Sequence, residues 1–254
     1  MKDIKVEIIN QLSDNYSYLI FNNGISSSII VDPAEDEKII QFLKKNKLKL
    51  EHIIITHHHH DHTSGVLGLL KEYPDAQIYS PSELFSLKIN RISDGDKINT
   101  SLNEFQVFSS PGHTLDHVVL CDTKNKLLFV GDVLFRLGCG RVFEGTIEQM
   151  HNSLNKILNL SDDMTVYCGH EYTLNNLKFL EHLFVQNDIL ANTKKQILRD
   201  LKLKNKSIPF ILGDEKRSNP FLNPECEMAS EFKKNNNYSN LEFFRYLREK
   251  KDIF

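Results

Sequence analysis

The stretch Thr56-His57-His58-His59-His60-Asp61-His62 packs five imidazoles and a carboxylate into seven positions. An extended chain alternates its side chains, so His57 and His59 project to one side and His58 and His60 to the other. Asp61 and His62 come where the chain turns into a following helix, and they aim at a second point a few ångströms away. Imidazole and carboxylate hold zinc and similar divalent ions, and two ions roughly 3.5–4 Å apart need ligands in two sets. This block offers about half of the ligands for such a pair.

Three further segments offer the remainder. Pro111-Gly112-His113-Thr114 follows a strand expected at 105–109, Gly131-Asp132 follows one at 127–130, and Gly169-His170 follows one at 165–168. Each is an apolar strand ending in a turn with one ligand-type side chain, which is how a rigid sheet presents a metal site at its rim. An internal histidine run behind a buried-type strand is not a tag. Alone, His113 and His170 are ordinary histidines and Gly131-Asp132 is a turn. Their conjunction with HxHxDH reverses that reading. His52, His117, His151 and His182 stay ordinary, with His117 a candidate partner to a ligand.

The elements that must carry these residues follow from patterning. Short β-branched runs at 5–9, 16–21 and 28–31, separated by Asn/Asp/Gly turns, read as strands. Residues 35–46 have apolar side chains at helical spacing among lysines, and 53–55 is a continuous apolar run expected of a strand covered on both faces. A helix is expected over 63–73, strands at 77–80 and 118–121, and a helix over 146–160. Strands with interspersed helices predict two packed sheets with helices outside. From Tyr172 onward the pattern turns helical, at 174–185, 188–204 and 241–250, with a Pro/Gly/Asn-rich loop from Ser207 to Pro224 and another at Asn235-Asn236-Asn237. The boundary is placed near Glu171, giving domains 1–170 and 171–254.

The chain has 254 residues, 40% hydrophobic and 26% charged, with a formal charge of −3. Residues 171–254 carry 15 basic against 12 acidic side chains, whereas the rest carries 16 against 22. The balance speaks against nucleic acid as a partner. No apolar run approaches the roughly 20 residues of a membrane span, and Met1-Lys2-Asp3-Ile4-Lys5 lacks the apolar core of a secretion signal. Cys121, Cys139, Cys168 and Cys226 form no CxxC pair and no disulfide framework. The expectation is a cytoplasmic monomer with no membrane partner.

HxHxDH followed by GHT, a strand-GD and a GH resembles the metallo-β-lactamase superfamily. Narrower signals resemble the glyoxalase II (hydroxyacylglutathione hydrolase) family. Gly131-Asp132-Val133-Leu134-Phe135 is similar to its GDTLF segment, with Val133 for Thr. Gly138-Cys139-Gly140-Arg141-Val142-Phe143-Glu144-Gly145-Thr146 matches GCGRxFEGT, with Phe143 where some members carry Tyr. Cys168-Gly169-His170-Glu171-Tyr172-Thr173 and Asn175-Asn176-Leu177-Lys178-Phe179 match CGHEYTxxNLKF. Glu215 with Asn219-Pro220-Phe221 and the run Leu247–Phe254 match the E…NPF and LRxxKDxF endings, although Asn223 departs from Arg.

The resemblance implies an α+β fold: an αββα sandwich with a C-terminal α-helical domain. It implies two divalent ions, Zn2+ first with Fe or Mn as alternatives. His57, His59 and His113 would hold one, Asp61, His62 and His170 the other, and Asp132 would bridge them. A metal-bound hydroxide would attack the thioester of an S-2-hydroxyacylglutathione, with Asp61 orienting it and taking its proton. The thiolate leaves readily because thiols have a pKa of about 8.5. This would be the second step of methylglyoxal detoxification. Cys139 and Cys168 would then only pack. Arg141, Phe143, Tyr172, Arg248 and Lys251 would bind glutathione, with Arg248 and Lys251 sharing one helix face. The alternatives are a single-iron persulfide dioxygenase or another hydrolase of the same fold.

Overall fold

The computed structural model describes residues 4–254, so the reading at Met1-Lys2-Asp3 lies outside it. The chain divides into two compact units: residues up to Ser109 together with Asp116–Asn125, and Ser110–Leu115 together with Lys126–Phe254.

In the first unit, β1 (Ile4–Gln11), β2 (Asn15–Asn22) and β3 (Ile25–Val31) form an antiparallel meander. Crossover helices then change the pairing to parallel. α1 (Glu37–Asn46) leads to β4 (Lys49–Ile54), and α2 (His60–Thr63) with α3 (Val66–Glu72) leads to β5 (Gln77–Ser80) and the short β6 (Asn90–Arg91). The six strands lie in chain order in one sheet. β7 (Lys97–Asn99), β8 (Glu104–Ser109) and β9 (Val118–Asp122) form a second antiparallel run. Ile39 and Leu43 of α1 and Val66 and Leu69 of α3 bury their apolar stripe against Leu19, Ile30, Ile53 and Ile55 of the sheet. Each fully buried side chain of this kind contributes about 1.5–3 kcal/mol. The helix expected over 63–73 is α3, which starts at Val66, and α2 is a separate turn before it. Gly65 N turns to Pro33 O at 2.9 Å, and the break falls there.

In the second unit, β10 (Leu127–Gly131) is followed by a two-residue-turn hairpin, β11 (Leu134–Phe135) and β12 (Gly138–Cys139). α4 (Ile147–Leu158) starts at a capping box in which Thr146 and Gln149 satisfy each other's backbone N–H. β13 (Thr165–Cys168) pairs parallel to β10. α5 (Thr173–Leu183), α6 (Asp188–Lys204), β14 (Phe210–Ile211), α7 (Leu212–Ser218), α8 (Glu227–Asn235) and α9 (Asn240–Asp252) complete it. The Ser207–Pro224 stretch expected as loop therefore contains β14 and α7, and α8 was not anticipated. α7 is too short to show a period. It is fixed by Leu212 N to Met164 O and Gly213 N to Asp162 O, both 2.9 Å.

Buried polar side chains of the helices bond the 134–140 backbone: Asn176 Nδ2 donates to Arg136 O at 3.0 Å and Arg248 donates to Cys139 O at 2.9 Å.

Candidate metal centre

In the first unit the ladder of β4 ends at Ile54, and the chain bends at Thr56 and His57 before α2 begins at His60. The expected two-sided burial is seen without a strand: His57 is fully buried, His58 and His60 are exposed and His59 is half-buried. Asp32, at the end of β3 with φ 51°, is the anchor beneath them. Its Oδ1 accepts from Thr56 N at 2.8 Å, and its Oδ2 accepts from Thr56 Oγ1 at 2.7 Å and from His62 Nδ1 at 3.0 Å. Having given its proton to Asp32, the Thr56 hydroxyl accepts from His57 Nδ1 at 3.0 Å. This network assigns the tautomers: His57 and His62 both carry their proton on Nδ1 and leave Nε2 as a lone pair. His57 Nε2 faces His59 Nδ1 at 3.2 Å, and His62 Nε2 stands 3.7 Å from Asp61 Oδ2. Asn15 Nδ2 donates to that Asp61 oxygen at 2.9 Å. His117 stacks on His57 with centroids 4.7 Å apart, which makes it packing for a ligand ring.

In the second unit, Gly112 turns the chain into His113 with φ 149°, against the Met150 side chain, where an added Cβ would sit 2.7 Å from Met150 Cβ. His113 Nδ1 donates to Arg141 O at 2.8 Å, so its Nε2 is also a bare lone pair. That nitrogen lies 3.3 Å from Asp132 Oδ2, and His170 Nε2 lies 3.2 Å from the same oxygen. A lone pair facing a carboxylate at that range is repulsive unless a cation or proton sits against both. The donor set, two imidazoles on one carboxylate oxygen, suits a divalent ion. Gly140 has no room for a side chain, because its Cβ would stand 1.8 Å from Asp132 O. The His170 ring stacks on Tyr172 at 4.7 Å, and Phe135 meets both edge-on. The seven expected ligands thus fall into two pre-oriented sets, His57, His59, Asp61 and His62 in one unit and His113, Asp132 and His170 in the other.

All four cysteines are buried. Burial pushes the thiols of Cys139 and Cys168 upward, and Cys168 Sγ donates to His170 O at 3.4 Å. The expected glutathione contacts all lie in the second unit. Arg141 and Phe143 are exposed, their side chains 5.9 Å apart, and Arg141 Nε pairs with Asp252 at 3.1 Å. Lys251 Nζ donates to Asn175 O at 3.0 Å and sits over the Phe179 and Phe254 rings. Burial and then the Arg248 charge lower its pKa to about 8. Arg248 does not share an open face with it. The guanidinium is buried, donating from Nη1 to Cys139 O and from Nη2 to Asp252 at 3.0 Å.

Sequence reasoning missed Asp32, Thr56 and Asn15. Asp32-Pro33 after an apolar strand repeats the strand-end pattern that exposed Asp132, and was the available signal. Asn15 reads only as a turn residue.

Residues 12–170 match the metallo-beta-lactamase superfamily, and residues 171–254 match the hydroxyacylglutathione hydrolase C-terminus. The chain is 39% identical over 250 residues to the hydroxyacylglutathione hydrolase of Citrobacter koseri, covering 97% of this chain and 98% of that one. It is 37% identical over 263 residues to that of Pseudoalteromonas translucida, covering 99% and 100%. Among solved structures, ETHE1 from Myxococcus xanthus superposes with a TM-score of 0.66 at 24% identity, covering 96% of each chain, a likeness of fold.

Proposed function

The chain belongs to the hydroxyacylglutathione hydrolase family of the metallo-β-lactamase superfamily, and from that premise we propose that it hydrolyses the thioester of an S-2-hydroxyacylglutathione to glutathione and a 2-hydroxy acid. Residues 1–170 carry the chemistry in this reading, and 171–254 join Arg141 and Phe143 in the glutathione contacts. His57, His59 and His113 would hold one divalent ion, Asp61, His62 and His170 the second, and Asp132 would serve both, with Zn2+ the first choice. Ions held there would supply a water of lowered pKa, about 7, and Lewis-acid polarisation of a carbonyl.

The chain's own groups do the rest. Asp32 and Thr56 fix the tautomers that leave His57 and His62 as Nε2 donors. Asn15 holds Asp61 Oδ2, and the Asp61 carboxylate orients the attacking water and takes its proton. Arg141 and Lys251 present cations to the substrate carboxylates, Tyr172 adds its hydroxyl, and Phe143 adds apolar and backbone contact. Arg248 stands behind them. A thiolate leaves without a strong general acid, and the buried, high-pKa cysteines take no part.

The observation that carries the reading is the single Asp132 oxygen faced by two imidazole nitrogens at 3.3 and 3.2 Å. No helix among the described residues is long and apolar enough to cross a membrane. We further propose a cytoplasmic monomer. The test follows S-lactoylglutathione by absorbance, with the released thiol trapped separately. Asp132→Ala and full chelation should each abolish turnover. Activity that survives both, or a protein that holds one iron and consumes oxygen, overturns the proposal.

A further inference from the structure

We propose that Glu215 and Asn219 are positioning residues for His113 and Asp132, acting through the β11–β12 hairpin; the inference rests on the ligand set proposed above. Glu215 lies on α7 and Asn219 one turn later, 1% and 0% exposed. Glu215 Oε2 accepts from Leu137 N at 2.7 Å and from Asn219 Nδ2 at 3.0 Å. Asn219 Nδ2 also reaches Phe135 O at 3.2 Å and Gly138 O at 3.1 Å. All three backbone groups belong to the hairpin turn, where Leu137 is held at φ 60°. A leucine there is unfavourable and persists only when its surroundings over-determine it.

The hairpin's exit strand runs straight into the metal-ligand set. Gly140 lies against the Asp132 carbonyl with no space for a Cβ, and the next residue, Arg141, supplies the carbonyl that takes the His113 Nδ1 proton at 2.8 Å. Asp132 itself precedes the entry strand by two residues. A hairpin that shifts therefore carries away both the backbone stop behind Asp132 and the acceptor that sets the His113 tautomer. α9 holds the exit from the other side, through Arg248 on Cys139 O. Two segments more than 70 residues downstream of the turn thus fix its position. Outer partners of this kind change metal affinity by about 10–100-fold when removed.

The experiment titrates the metal-free full chain with Zn2+ against a chromophoric chelator. Glu215→Ala is expected to weaken Zn2+ binding by about 10–100-fold. Glu215→Gln keeps an amide oxygen where both bonds converge and is expected to retain wild-type affinity. In the Zn2+-loaded chain, the His113 Nδ1 proton should exchange with solvent faster in the Ala variant and not in the Gln variant. A role confined to general stability would lower the melting temperature and leave both readouts of the folded protein unchanged. Should Glu215→Ala not fold, Asn219→Ser cuts the bonds to Phe135 and Gly138 and takes its place. A folded Ala or Ser variant with wild-type Zn2+ affinity overturns the proposal. A wild-type chain that shows these Zn2+ trends yet cleaves no glutathione thioester overturns the function and supports the positioning.

Discussion

Replacing Glu215 with Gln should remove a pH dependence that the wild-type chain carries in its fold. Burial is the main cause, raising the Glu215 pKa from 4.5 to about 7 against the pull of the Leu137 N–H, the Arg136 charge and Asn219, with Asp214 adding to the rise. A carboxyl with a raised folded-state pKa binds its proton more tightly in the native chain than in the unfolded one. Its contribution is fully present below pH 4.5 and is lost as pH climbs to about 7. A difference of one in pKa between the folded and unfolded chain corresponds to about 1.4 kcal/mol, so between pH 5 and pH 8 wild-type stability should fall by roughly 2–3 kcal/mol relative to the Gln variant. Histidine protonation changes the stability of both chains alike, and the difference between them cancels it. Urea unfolding of the two metal-free proteins at several pH values, followed by circular dichroism, reads that difference. A difference that stays flat across the range would refute the argument that this carboxyl is desolvated.

Asp32→Asn removes the acceptor that holds the Thr56 hydroxyl and His62 Nδ1, and Zn2+ affinity should drop by about 10–100-fold in a chelator competition; unchanged affinity would show that the tautomers are set elsewhere. Gly140→Ala drives a methyl into the Asp132 carbonyl and should cost about 1–3 kcal/mol, seen as a lower melting temperature, because a backbone atom cannot step aside cheaply. Lys251→Ala should raise KM for S-lactoylglutathione with little change in kcat. Because its pKa is lowered to about 8, wild-type KM should also climb as pH passes that value and the amine loses its charge. A pH-independent KM would take Lys251 out of the site. Arg248→Ala should act on stability first, since it strips donors from the Cys139 and Gly140 carbonyls.

What the sequence made legible was the local physics. β5, α6 and β13 lie at the bounds their patterning predicts, and the strand-then-ligand segments at His57, His113, Asp132 and His170 are where short apolar runs give way to turns. What it hid depends on partners far along the chain. The break at Gly65 exists because of a carbonyl at Pro33, 32 residues earlier in the numbering. Asp32 reads as a turn residue, since Thr56 and His62 come 24 and 30 residues later. Arg248 carries the pattern of a solvated helix face, and only the Cys139 carbonyl, 109 residues upstream, explains its burial. α7 and β14 are too short for periodicity to register and are held by tertiary bonds.

The chain's assignment to its two units has a practical corollary. β8 and β9 pair with each other in the first unit, while residues 110–115 between them, including the His113 turn, belong to the second. A nascent chain therefore cannot finish its first body until it has already let out a piece of the second, and that piece must wait for Gly145 and Met150 to arrive. Expression of isolated halves from a single cut will always orphan a segment. Separating the two units takes three scissions, one at each end of that six-residue excursion and one after Asn125.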